Sequence, residues 1–280
     1  MLFATASLAR RIERAETSLI TEGARATATR VGSDNVFIKQ FCGGVAVHAG
    51  AGSPFNKVAG LGFLGVADEA TFEEIEAEFT ARDSPVQVEI STLGYPAIAR
   101  TLTGRGYELV GFENVLGLAL DGGVALQAPV VPPSVSIGRA NTDEHAAWMH
   151  AVLTGFQHAD VYDGPESHER IDVEVLARVF EDMASAKGFE RYVARIDGTV
   201  VAGASLRLFD GVAQLAGAAT LPAFRRRGIQ SALLRYRLSE SAQRGCDIAV
   251  VTTSPGSKSQ QNVQRVGFEL LYARAILIKG

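Results

Sequence analysis

The residues best suited to chemistry lie in one stretch, Thr220 to Leu234, reading TLPAFRRRGIQSALL. A β-rich run precedes it and a run of helical spacing follows, so three arginines and a glycine stand at a strand-to-helix junction. Backbone N–H groups and the positive end of a helix dipole can hold phosphate at such a junction. Gly228 lets the backbone come close to an anion, and Arg225, Arg226 and Arg227 add cations that match phosphate oxygens. The physical reading is a pyrophosphate cradle. A run of arginines is also the pattern of a solvated surface or a nucleic-acid patch. The whole-chain charge weighs against the latter, because 27 Lys and Arg stand against 31 Asp and Glu, a net charge of −4. Such a balance leaves no footprint for a general nucleic-acid or membrane-surface partner.

A junction of this kind needs a sheet and helices around it. The 280 residues suit one large domain or two ordinary ones. With 47% hydrophobic and 21% charged residues and a mean hydropathy of +0.11, the chain is globular, which excludes a disordered or fibrous protein. Cys42 and Cys246 are too few for a disulfide framework and lack the spacing of a zinc site, so no metal is expected and a reducing, cytoplasmic setting fits. No run of about 18 apolar residues marks a membrane span. The opening residues carry Leu8, Ile12, Ala15 and Leu19 at helical spacing, with Glu13 and Glu16 between them, which reads as a docked amphipathic helix rather than a cleavable signal.

Prolines 129, 132 and 133 in QAPVVPPS stiffen a joint, giving an expected division into residues 1–127, a linker over 128–134 and residues 135–280. The first part holds 10 basic and 15 acidic residues, and the remainder of the chain 17 and 16. In the second part a strand at SVSIGRA is followed by a helix over 143–155 capped by Thr142 or Asp143 and a helix around 166–186. Asp197-Gly198 and Asp210-Gly211 then mark two hairpin turns among three antiparallel strands. A helix over 229–244 closed by Gly245, a buried strand CDIAVVT, a helix through 257–265 and a final strand complete an α+β order with one parallel step. The first part repeats this pattern: Gly106-Tyr107-Glu108-Leu109 lies on Gly267-Phe268-Glu269-Leu270 at an offset of 161 residues. The same offset lays PVQVEIS under CDIAVVT.

The junction resembles motif A of the GNAT superfamily of N-acetyltransferases, with Arg225, Gly228 and Gln230 at the three fixed positions of Arg/Gln-x-x-Gly-x-Gly/Ala. Gln230 departs from the usual small residue. Leu221-Pro222, the run Ser231 to Leu234 and the closing PGSKSQQNVQRVGF also resemble the family, over roughly residues 135–280. The resemblance implies two tandem GNAT-like domains, the second binding acetyl-CoA and acetylating an amine of a small molecule or peptide, as a monomer or homodimer. It implies a splayed strand ending in Ala218, Ala219 and Thr220 that receives the pantetheine arm through backbone hydrogen bonds. The amides of Arg226, Arg227, Gly228, Ile229, Gln230 and Ser231 would then meet the pyrophosphate, and the N–H near Ala219 the thioester carbonyl. The family's usual tyrosine acid falls on Val263. Ser259, one turn earlier on the same face, is the candidate acid, as in the branch that acetylates ribosomal-protein N-termini, with a plain helix-face hydroxyl as the alternative. Asn262 and Ser257 are further candidates for cofactor contact or for capping the helix. No glutamate stands in the strands over 212–220 and 246–253, which leaves His158, Asp160, Asp163, Glu166 and Tyr272 as candidate bases or amine ligands.

Under the offset, Arg225 to Gln230 fall on Leu64 to Glu69, where the arginines are lost and Asp68 and Glu69 repel phosphate, so the first part is not expected to hold the cofactor. Asn56, Lys57, Glu89, Glu113 and Asn114 interrupt apolar stretches there, which reads as a strand with a wet edge or as the wall of a cleft. A non-catalytic acyl-CoA-binding sensor is the alternative function for the chain.

Overall fold

The structure is a computed structural model that describes residues 2–120, 131–158 and 171–280. The first part of the chain forms α1 (Ala6–Val31), β1 (Phe37–Phe41), β2 (Gly44–His48), β3 (Lys57–Leu61), α2 (Glu69–Thr80), β4 (Val86–Ser91), α3 (Pro96–Gly104) and β5 (Glu108–Ala119). The second forms β6 (Val135–Arg139), α4 (His145–Gln157), α5 (Val173–Met183), β7 (Phe189–Ile196), β8 (Thr199–Phe209) and β9 (Val212–Thr220). It continues through α6 (Ile229–Gln243), β10 (Ile248–Thr253), α7 (Lys258–Gln264) and β11 (Glu269–Lys279). The chain is mixed α+β, and among the described residues no helix is long and apolar enough to cross a membrane.

Local chemistry explains these elements. Thr5 caps α1 by accepting the Leu8 N–H at 3.1 Å, and Gly32 ends the helix at φ +91°. Both hairpin turns have the two positive φ angles that match the twist of the strands, 49° and 79° at Asp197-Gly198 and 50° and 74° at Asp210-Gly211. The internal repeat is also visible, since β4, α3 and β5 fall within a few residues of β10, α7 and β11 at the 161-residue offset.

Two compact units form, and neither is a single stretch of chain. The amino-terminal unit holds α1 to α3, β1 to β4, the start of β5, α5 and β11; the carboxy-terminal unit holds the end of β5, β6 to β10, α4, α6 and α7. This differs from the linear division at 128–134, and the reason is an exchange of last strands. β4 takes β11 as its antiparallel neighbour, from Val86↔Lys279 to Ser91↔Arg274. β10 takes β5, with the Leu120 N–H donating to the Asp247 carbonyl at 2.7 Å. Residues 128–130 of the expected linker lie outside the described residues.

In the amino-terminal unit the strands run β1-β2-β3-β4-β11-β5, with β3 and β4 parallel. Val86, Val88 and Ile90 of β4 join Phe72, Ile75, Phe79 and Leu102 in one core, so period-2 alternation turns Glu89 to the opposite face. Glu89 does not lie on a wet edge. β4 is flanked on both sides, and Glu89 is 1% exposed and pairs with Lys57 at 2.5 Å. Arg274, also 1% exposed, is supplied by β11 and lies 2.9 Å from Glu13, 3.6 Å from Glu113 and 3.8 Å from Glu89. Asn56 instead ties its own loop, accepting from the Ala49 N–H and donating to the Gly50 carbonyl.

In the carboxy-terminal unit the order is β5-β10-β9-β8-β7-β6 over a core containing Leu116, Tyr192, Val201, Leu206, Leu233, Leu238 and Phe268. Helix α4 lies close to β8 and β9 because its own Gly155 and Gly203 of β8 leave room at the contact. A Cβ on Gly203 would stand 2.8 Å from Val152 and 2.9 Å from Trp148, and one on Gly155 only 2.2 Å from the Ala219 methyl. Trp148, fully buried, fixes the helix by donating from Nε1 to the Ala204 carbonyl at 3.0 Å.

Two outcomes follow from this packing. Burial and the Glu89 carboxylate push the Glu113 pKa up from 4.5 to about 7. The folded chain therefore holds an extra proton between these values, so stability falls as pH rises through that window. Glu113→Gln should flatten that part of the pH profile of the melting temperature, and an unchanged profile would contradict the assignment. Gly155→Ala gains about 1 kcal/mol of helix propensity but should lose about 1–3 kcal/mol to overpacking. The double change Gly155→Ala with Ala219→Gly should recover the urea midpoint.

Candidate functional site

Strands β9 and β10 run parallel for only three residue pairs, Val212↔Ile248, Ala213↔Ala249 and Gln214↔Val250, although both continue to Thr220 and Thr253. Beyond Gln214 they part. A bulge in β9 accompanies the parting: Ser205 faces Ala216 and Gly203 faces Ala219, so Gly217 and Ala218 together oppose Ala204, with Gly217 at φ +56°. Ala216 is exposed and Ala218 half-buried, so small side chains flank the open edge.

Peptide direction along that edge follows from the β8 ladder. The Leu221 N–H donates to the Val201 carbonyl at 3.0 Å, and the two-residue alternation of an antiparallel pair turns the Ala219 N–H toward Gly203 as well. The Ala219 peptide is therefore turned toward β8, and the N–H groups near it that point to the open edge are those of its two neighbours. The peptides of Ala218 and Thr220 face the other way, and their carbonyls accept from Gln230 Nε2 at 3.4 Å and Arg225 Nε at 3.2 Å.

The segment after β9 ends in a turn with two left-handed residues, Arg226 at φ +61° and Gly228 at φ +76° and ψ 0°. This geometry presents consecutive N–H groups on the concave side of a loop, a nest for an anion. Among the described residues none of the N–H groups of Arg226 to Ser231 donates to a backbone carbonyl. Helix α6 has no side-chain cap and no acidic residue in its first turn, so its positive end is uncompensated. A Cβ at Gly228 would meet only Pro132, at 4.0 Å, so the glycine is required by its φ rather than by crowding.

The three arginines divide. Arg225 bridges the Thr220 and Gly155 carbonyls at 3.2 and 3.4 Å and braces β9 against α4, rather than standing as a mobile cation. Arg227 lies over the Phe224 ring at 5.4 Å and reaches the Ala223 carbonyl. Arg226 is exposed. Gln230 folds back on β9, where its Oε1 accepts from the Thr220 hydroxyl at 3.1 Å. Its side chain thus leaves the Gln230 N–H uncovered and ties the helix to the parted strand.

The remaining candidates are scattered. Ser259 is the second residue of α7 and exposed, while Ser257 caps that helix by accepting the Gln260 N–H at 3.2 Å. Asn262 is half-buried, and Val263 is packed in the core where the family's tyrosine would stand. His158 ends α4, exposed, with Nδ1 donating to the Thr154 carbonyl at 3.0 Å. Asp160, Asp163 and Glu166 lie outside the described residues. Tyr272 belongs to the amino-terminal unit, because β11 pairs with β4 there, and its hydroxyl donates to Glu13 at 2.7 Å. Sequence reasoning missed Gly155, the bulge at Gly217 and Thr253, whose buried hydroxyl has no partner among the described residues; a glycine late in a helix and the small run Ala216 to Ala219 were the available signals. No cluster of His, Cys, Asp and Glu that could hold a metal occurs among the described residues.

The amino-terminal counterpart of this junction is filled by its own carboxylates. Asp68 caps α2 by accepting the Thr71 N–H at 2.9 Å, which holds its pKa below the usual value, and Glu69 in the first turn pairs with Arg105.

The model of the acetyltransferase (GNAT) family matches residues 154–268. No curated protein matches the sequence. Among solved structures, a GCN5-related N-acetyltransferase from Kribbella flavida is 20% identical at a TM-score of 0.62, covering 92% of this chain and 95% of that one. One from Sphaerobacter thermophilus is 18% identical at 0.58, over 99% and 94%. A tandem GNAT protein from the clavulanic acid biosynthesis pathway is 15% identical at 0.63, over 92% and 87%. Residues 154–268 are thus a domain of the GNAT acetyltransferase family, in a chain that has the fold of tandem GNAT proteins.

Proposed function

We propose that the carboxy-terminal unit binds acetyl-CoA and transfers the acetyl group directly to an amine of a small molecule or peptide, in the cytoplasm. The observation that carries this reading is the conjunction of a parted strand pair with a run of N–H groups that no backbone carbonyl among the described residues fills. An extended pantetheine arm fits beside β9 as an added strand. A pyrophosphate fits the N–H groups of Arg226 to Ser231, where the end of α6 adds its dipole and Arg226 and Arg227 add charge.

Transfer needs the amine to lose a proton, the new C–N bond to form as the C–S bond breaks, and the departing sulfur to gain a proton. The chain contributes mainly by holding the two reactants in line. The N–H groups of Ala218 and Thr220 on the open edge, rather than that of Ala219, are the donors suited to the charge that develops on the carbonyl oxygen. Ser259 is the proposed relay to sulfur. His158, or a carboxylate among Asp160, Asp163 and Glu166, takes the amine proton or holds the ammonium. The second reading is an acyl-CoA sensor without turnover, which the buried Val263 at the usual acid position favours.

Calorimetric titration with acetyl-CoA should give about one site per chain, and Arg227→Glu with Gly228→Glu should abolish it. Arg226→Ala should weaken binding with the melting temperature unchanged. Arg225→Ala should lower stability itself, by about 1–3 kcal/mol, since it removes a charged donor from two carbonyls. Two equal sites or none would overturn the assignment. Release of free CoA thiol with a panel of amines and peptides separates enzyme from sensor.

A further inference from the structure

The parted edge of β9 is held from two sides by side chains of its own unit. Three successive peptides make up the bulge: Ala216–Gly217, Gly217–Ala218 and Ala218–Ala219. The carbonyl of the last accepts from Gln230 Nε2 at 3.4 Å. The carbonyl of the first accepts from the Ser205 hydroxyl at 3.0 Å. Between them lies the peptide that carries the Ala218 N–H, joined to the first through Gly217 at φ +56°. Planar peptides turn only about φ and ψ, so holding the two outer ones fixes the direction of the N–H in the middle.

Ser205 is fully buried and stands opposite Ala216 in the ladder between β8 and β9. Its own carbonyl accepts from Arg237 Nη1 of α6 at 2.7 Å. Arg237 is 3% exposed, and its Nε reaches the Leu233 carbonyl of its own helix at 3.4 Å. No carboxylate among the described residues answers its charge; burial pulls its pKa down to about 10, with Tyr192 acting against this. Arg237 is therefore still a cation at neutral pH. Burying a charge without a counter-charge is costly. What this one supplies is a charge-assisted bond, the stronger kind, to the residue that holds the bulge.

We propose that Ser205, backed by Arg237, is a positioning residue for acetyl transfer: its hydroxyl sets the Ala216–Gly217 peptide so that the Ala218 N–H points at the oxygen of the acyl carbonyl. The proposal rests on reading the parted strands as the acetyl-CoA site. Ser205 acts through the backbone and touches neither reactant.

The test is infrared spectroscopy of acetyl-CoA, isotopically labelled at the acetyl carbonyl carbon and bound to the full chain. A donor on the carbonyl oxygen lowers its stretching frequency, so the band should move down on binding. Ser205→Ala should lose most of that shift. Its affinity for acetyl-CoA, read by calorimetry, should fall by no more than about tenfold, the scale of one hydrogen bond, because the nest at α6 is untouched. Arg237→Met, which removes the donor to the Ser205 carbonyl, should diminish the shift too. Ser241→Ala is the control, since it deletes an equally buried hydroxyl that donates to the Arg237 carbonyl at 2.7 Å within α6. It should lower the melting temperature as Ser205→Ala does and leave the carbonyl band in place. A chain that binds no acetyl-CoA overturns the reading of the site itself. A chain that binds it with no downward shift, with the shift intact in Ser205→Ala, or with the shift equally lost in Ser241→Ala overturns the role given to Ser205.

Discussion

The carboxy-terminal unit depends on where two parallel strands cease to pair. After Gln214↔Val250 no further pair joins β9 to β10, yet both strands continue, and backbone groups that a continuous ladder would consume remain available at the open edge. An open edge inside a sheet is costly unless other bonds hold its shape. Here the holding groups are identifiable: the bulge at Gly217, the Gly155–Ala219 approach that seats α4, and the side chains of Arg225 and Gln230 on the Thr220 and Ala218 carbonyls. The same strand then delivers the chain into a turn whose amides, at the start of α6, meet no backbone carbonyl among the described residues. Parted strands and cradle are consequences of one backbone course.

The amino-terminal unit solves the corresponding problem in the opposite way. Its parallel pair β3/β4 is bordered by buried charge instead of an open edge, and the start of α2 is capped by Asp68 and neighboured by Glu69. Phosphate would meet carboxylates there. The exchange of last strands matters to this arrangement, because Arg274 and Tyr272 reach Glu13 only through β11. Breaking such a buried cluster by removing one partner costs about 3–5 kcal/mol, so the exchanged strand is strongly held.

Much of this was legible in the sequence. The Asp-Gly turns fix the β7–β8–β9 meander because few dipeptides accept two positive φ angles, and the arginine-glycine run marks the junction because the turn needs Gly228. The 161-residue offset revealed the repeat. What the sequence could not reveal depended on long-range partners. Strand exchange leaves no local signal, since β5 and β11 have similar patterns and either suits either neighbour. Arg225 and Arg226 are chemically identical in sequence, and only their neighbours separate a brace from an exposed cation. Glu89 looked like a polar edge because its counter-charges, Lys57 and Arg274, are distant in the chain. The direction of the Ala219 peptide was set by the register with β8, which no composition encodes.

An acyl-CoA held by the parted strand pair and its adjoining turn would shield their amides from solvent. Hydrogen exchange followed by mass spectrometry, with and without saturating acetyl-CoA, tests it most directly. Exchange should slow in residues 215–232 and 251–262 and stay unchanged in 57–69. Protection in 57–69, or none in either segment, would contradict it.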